Sequence, residues 1–225
     1  MGMQKTGAWG GIGCKSERTA QRILEVCLRL FNEHGVAQTT TAAIAGAAGI
    51  REGNLWYHFR TKQDMLLRLY DGFEDALARL FSRDFEERFS PADYAAHQAA
   101  SFRLVWEYRF LFRDIASVYR LCPSLKSRGE ALAEKGLRHI ESTLTRMRTE
   151  GLLRIDSKDI PSLAINVWIV SRYWLEFLYA HHGIEDLEQR HLEAGMQQLQ
   201  ALLVPYLTCS LPEVAMEPAD ARSDL

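Results

Sequence analysis

The chain has 225 residues, of which 47% are hydrophobic and 25% charged, close to the average of globular domains and unlike a fibrous repeat or a disordered chain. The formal charge is only −2, but residues 1–70 hold nine Lys/Arg against five Asp/Glu, a net of +4, and the remainder holds 18 against 24, a net of −6. A mildly basic N-terminal segment joined to an acidic remainder points to a polyanion as partner of the first part.

The glycine-rich stretch from Met1 to Gly13 lacks the long apolar region of a secretory signal. Residues 1–15 are expected to be a flexible arm. Apolar residues then fall at helical spacing almost throughout, and no stretch alternates long enough for a strand, so the fold is expected to be all-α. A first helix is predicted over about Ser16 to His34, striped by Ile23, Val26, Cys27, Leu30 and Phe31 and stopped at Gly35. Thr39 and Thr40 are good caps for a two-turn second helix that ends at Gly49. A third short helix follows over about Arg51 to His58, with Leu55 and Phe59 inward. Thr61, with Asp64 three places on, opens a long fourth helix striped by Leu66, Leu69, Tyr70, Phe73, Leu77 and Leu80.

Ser90-Pro91 and Cys122-Pro123 are helix starts, which places helices at about 91–107, 109–121 and 124–150, the last closing at Gly151. Another is predicted from Asp156–Pro161 to about His181, and a final one over about 186–206. About nine helices result. The tail from Ser210 is poor in apolar residues and expected to be disordered. The longest apolar run, Leu163 to Val170, is far too short to span a bilayer, which needs about 20 residues. Four scattered cysteines resemble neither a disulfide framework nor a zinc site and suit a reducing cytoplasm.

Three short-to-medium helices with a glycine turn between the second and third have helix-turn-helix spacing, a corner that many helical bundles also contain. The residues are more specific than the spacing. TTTAAIAGAAGIREGNLWYHFRTKQDML (39–66) closely resembles the DNA-binding signature of the TetR/AcrR family of bacterial regulators, and RILEVCLRLFNEHGV (22–36) resembles that family's first helix. FRLVWEYRFLFRD (102–114) resembles, more loosely, one branch whose members carry a GNLYYHF-like recognition segment. The resemblance implies an N-terminal helix-turn-helix domain (16–62), a C-terminal helical domain for ligand sensing and dimerisation (63–208) and a tail (209–225).

It also implies roles. Thr39 and Thr40 stand where hydroxyls and open backbone N–H groups bind a phosphate, and where they would equally act as plain caps. Arg51, Glu52, Gly53 and Asn54 form the first turn of the recognition helix: Arg51 is suited to guanine or is a solvated charge, Asn54 is suited to adenine or a phosphate, and Gly53 allows close approach. Of Trp56, Tyr57 and His58, the family pattern gives the first and third to phosphates, although tyrosine usually stands at the place of Trp56. Lys62 resembles the family's lysine that clamps the DNA backbone.

The helix over about Ser162 to Tyr179 is apolar nearly all round and needs cover on every side, which a second copy of the chain would supply. Aromatic residues concentrate in the same half. Phe102, Trp106, Phe110, Tyr119, Trp168, Tyr173 and Phe177, with Arg113 or Arg172 for a polar end, would line a site for a small apolar or aromatic effector; ordinary core packing explains each of them as well. The expected partners are double-stranded DNA with an inverted repeat, a second copy and the effector. The expected activity is ligand-relieved repression, with activation or dual regulation, or a helical carrier without a DNA role, as alternatives. No catalytic motif stands out, His181, His182 and His191 lack ligand-spaced companions, and neither an enzyme nor a cofactor is expected.

Overall fold

In a computed structural model, residues 15–82, 89–184 and 187–212 are described, and among them the chain forms ten α-helices. The expected N-terminal arm and most of the tail lie outside these residues. The chain divides into two compact units, one running up to Ala78 and taking back Asp114–Arg128, the other made of Arg79–Arg113 and the residues from Gly129 on.

In the first unit, α1 (Lys15–Gln38) buries Ile23, Leu24, Cys27, Leu30 and Phe31, and Gly35 interrupts its helical backbone at φ 78°. The left-handed region costs glycine nothing, which makes it the natural stop. α2 (Thr41–Ala47) is capped by Thr40, whose hydroxyl accepts from the Ala43 N–H at 3.1 Å. Gly49, at φ 64°, turns the chain into α3 (Glu52–His58). At the start of α4 (Lys62–Phe81) the expected exchange is present: the Thr61 N–H donates to Asp64 at 2.9 Å and the Asp64 N–H donates to the Thr61 hydroxyl at 3.1 Å. Ile44, Leu55, Met65, Leu66 and Leu69 close this core.

α5 (Pro91–Glu107) opens with Ser90 and Asp93 bonding each other's backbone N–H groups, as the Ser-Pro pair suggests. The single helix expected over 109–121 is divided into α6 (Arg109–Arg113) and α7 (Ile115–Leu121). Asp114 leaves helical geometry at φ −148° and accepts the Ser117 N–H at 3.0 Å, so its carboxylate begins a new helix where the apolar pattern alone runs on. α7 belongs to the first unit. There Gln63 donates to the carbonyl of Leu121, and Arg128 pairs with Asp71 at 2.7 Å and with Glu74 at 2.5 Å while lying over the ring of Tyr70.

α8 (Leu125–Thr149), α9 (Ile160–His182) and α10 (Gln189–Leu203) follow, the last shorter than expected because residues 204–206 tighten into a 3-10 turn. The second unit packs Leu144, Met147, Leu163, Ala164, Leu175, Leu192, Met196, Leu199 and Leu203 into one cluster. Two indoles lie directly on glycines. A Cβ at Gly136 would stand 2.5 Å from the ring of Trp168, and one at Gly195 would stand 2.7 Å from that of Trp174, whose Nε1 donates to the His191 carbonyl at 2.6 Å. After α10, Leu153 and Leu207 form an isolated antiparallel bridge, flanked by the Arg154 N–H donating to Tyr206 at 2.7 Å.

His97 on α5 and His139 on α8 meet at 3.0 Å between their Nε2 atoms, and His139 stacks on Phe81 at 4.4 Å. Burial pushes the His139 pKa below its ordinary 6.5. As pH falls through that value the unfolded chain binds the proton first, so this contribution to stability is complete above it and declines below it. The melting temperature is therefore expected to fall between about pH 7.5 and pH 5.5 and to fall less in His139→Gln; an equal fall in both proteins would refute the assignment.

Candidate nucleic-acid interface

α3 sorts its residues by the helical period. Leu55 within it and Phe59 just after it are buried, while Arg51, Glu52, Gly53, Asn54, Trp56 and Tyr57 are exposed and His58 is half-buried. Trp56 is 55% and Tyr57 79% exposed, and two large aromatic side chains on one short helix are uncommon on a surface that meets only water. Arg51 stands at the helix start and makes no side-chain capping bond, which leaves the guanidinium on the surface. Glu52 accepts a hydrogen bond from the Thr41 hydroxyl at 3.3 Å and so links the first turns of α2 and α3. A Cβ added at Gly53 would meet nothing within 4 Å, so no packing inside the chain calls for glycine there. The ring of His58 meets that of Tyr57 edge to face at 5.2 Å.

The two threonines before α2 face opposite ways. Thr39 is 2% exposed, and its hydroxyl donates to the carbonyls of Gly35 at 2.8 Å and Leu30 at 3.3 Å. That hydroxyl closes the end of α1 and is turned away from solvent. Thr40 is exposed at the start of α2, and Thr41 beside it is half-buried. Arg60 is exposed in the turn between α3 and α4.

Lys62 reaches back across the corner. Its ammonium donates to the Val36 carbonyl at 2.8 Å and to the Thr39 carbonyl at 2.9 Å. An ammonium has three protons, so this geometry leaves one donor beyond the two used in tying α4 to the end of α1. Burial pushes its pKa below the ordinary lysine value and pushes the thiol of the neighbouring Cys27 far up.

The residues expected to contact an effector are divided between the two units. Tyr119 lies on α7, in the first unit, and the others lie in the second. Phe102 and Phe110 are buried. Trp106 lies under the Arg109 guanidinium at 4.4 Å, Arg113 over Tyr179 at 5.6 Å, and Trp168 on Gly136. Arg172 donates to the Leu111 carbonyl at 3.3 Å and lies over Phe112 and Tyr173. Tyr173 and Phe177 are exposed instead, and with Ile165 and Ile169 they form a stripe along α9 at four-residue intervals.

No helix among the described residues is long and apolar enough to cross a membrane. The model of bacterial regulatory proteins of the tetR family matches residues 23–69, and that of a bacterial transcriptional repressor, TetR, matches residues 72–211. The HTH-type transcriptional regulator AcrR of Shigella flexneri is 34% identical over 79 residues, 35% of this chain and 36% of its own length. The HTH-type transcriptional repressor KstR2 of Rhodococcus jostii is 41% identical over 63 residues, 28% of this chain and 30% of its own. The chain thus matches only about a third of the length of these relatives. A TetR-family transcriptional regulator from Marinobacter aquaeolei VT8 has a similar structure, with TM-score 0.75 and 28% identity over 84% of this chain and 91% of that one. The complex of SmeT with triclosan gives 0.59 and 26% over 89% of this chain and all of SmeT.

Proposed function

Since the chain belongs to the TetR family of bacterial transcriptional regulators, we propose that it is a repressor that binds an inverted-repeat operator as a homodimer and is released by a small apolar or aromatic effector. The observation that carries this reading is the outward face of α3, where Arg51, Asn54, Trp56 and Tyr57 stand exposed on a helix anchored by Leu55 and Phe59.

In the complex, the first turn of α3 enters the major groove with Arg51 and Asn54 at base edges. Thr40, Thr41, Trp56, Tyr57 and His58 reach the flanking phosphates, and the third proton of Lys62 does the same. The α9 stripe meets its copy across a twofold axis, which sets the spacing of the half-sites. The second unit takes up the effector, and occupation favours an arrangement in which the two reading helices no longer fit successive half-sites. The triclosan complex of SmeT supports an aromatic effector.

The deciding measurement is a titration of the dimer against genomic fragments and then the recovered operator, as a function of salt. Affinity should fall steeply with ionic strength. Arg51→Ala should cost roughly 1–3 kcal/mol on the operator and less on random DNA. Lys62→Ala should flatten the salt slope by about one unit and also lower the melting temperature, because two carbonyls lose a charged donor. A lower melting temperature with an unchanged slope would make Lys62 an internal tie alone. Absence of DNA binding at low salt, with no effector present, would overturn the whole reading.

A further inference from the structure

Gln98 on α5 is 5% exposed, and neither its carboxamide oxygen nor its nitrogen has a hydrogen-bond partner in the chain. Tyr94 and Phe102 stand four residues to either side on the same helical face, both buried and both part of the second unit's core cluster. Charge on α5 is directed elsewhere: Asp93 is bonded to Ser90, and Arg103 and Glu107 are exposed. A buried amide with unmade hydrogen bonds costs roughly ten- to a hundredfold in the folding equilibrium, whereas an apolar side chain of the same shape would cost nothing. Such a residue leaves one acceptor and two donors for a group from outside the chain.

We infer that Gln98 is the polar anchor for the effector, and that the effector is an uncharged molecule with an apolar body and a hydroxyl or amide head. The inference rests on the reading of the second unit as the effector domain. A carboxamide offers one acceptor and two donor hydrogens, so its complement is a group that both donates and accepts. A carboxylate head would leave the amide oxygen unmatched and would be buried among Tyr94 and Phe102, with Arg103, the basic residue of α5, turned to the surface. Because the flanking rings are themselves buried, entry requires them to part, and the loaded and empty states differ in packing. The preceding residue, His97, carries that difference onward: its imidazole meets His139, which stacks on Phe81, the last residue of α4.

The test uses the full-length protein and Gln98→Met, a near-isosteric apolar replacement, titrated calorimetrically with 2-naphthol, naphthalene and 2-naphthoate. The wild type should bind 2-naphthol roughly tenfold or more tightly than either other probe. Gln98→Met should bring 2-naphthol and naphthalene within about threefold of each other and should melt above the wild type when no probe is present. A wild type without preference for 2-naphthol, or a variant that keeps it, overturns the assignment. So does a variant that melts lower and loses affinity for all probes alike, because Gln98 is then a structural residue. A probe-free gel shift on the operator separates this inference from the function it rests on. A wild type that lacks the preference for 2-naphthol but still shifts the operator refutes only the role of Gln98, whereas a wild type that shifts no DNA refutes the proposed function.

Discussion

Ile169→Asp is expected to yield a folded monomer whose affinity for the full operator falls roughly a hundredfold or more, because the second reading head is no longer tethered to the first. Ile165, Ile169, Tyr173 and Phe177 recur every four residues on α9 and are each between 42% and 48% exposed, while Leu163, Ala164, Val167, Leu175 and Leu178 of the same helix are buried. One face of α9 therefore fills the core and the other offers an apolar band of four large side chains to its surroundings. Ile169 is the informative position, since Tyr173 also touches the guanidinium of Arg172 and its loss would disturb two contacts at once. Light scattering would report the mass and a gel shift the affinity. A variant that remains dimeric and binds the operator normally removes α9 from the interface.

Gly53→Leu is expected to leave the fold intact and to weaken operator binding by roughly 1–3 kcal/mol, about 5- to 150-fold. Nothing within 4 Å would meet a Cβ there, and the residue is helical, so the free protein has no use for the small side chain. Helix propensity even favours the change, and Gly53→Ala should raise stability by up to about 1 kcal/mol. A glycine on an exposed helix, where no packing inside the chain calls for it, suits a surface outside the chain that comes close. Thermal melting and operator titration should therefore move in opposite directions for Gly53→Ala; equal affinity for wild type and Gly53→Leu would place this turn of α3 away from the DNA.

The reading corner was legible in the sequence because its signals are local. Caps at Thr40 and Thr61, stops at Gly35 and Gly49, and the inward pair Leu55 and Phe59 each act within a turn or two of their own position. What escaped depends on distant partners. Thr39 and Thr40 are chemically alike, and only the carbonyls of Leu30 and Gly35 turn one inward. By sequence Lys62 reads as a residue for DNA alone, and only the carbonyls of Val36 and Thr39 give it an internal role. Trp168 is explained by Gly136, more than thirty residues earlier, and no periodicity in either helix announces that pairing. Asp114 did carry a local signal, a capping side chain, but the apolar spacing of 109–121 runs across it unbroken. Gln98 sits in a run of alanines, and only its burial gives it meaning.

The indoles of Trp168 and Trp174 rest on bare backbone at Gly136 and Gly195. Sliding of α9 along α8 or α10 must peel one of these rings from its seat and let solvent or a new dipole reach it. The protein thus contains two optical gauges, one for each side of the same rod, whose emission would register such a shift without any added label.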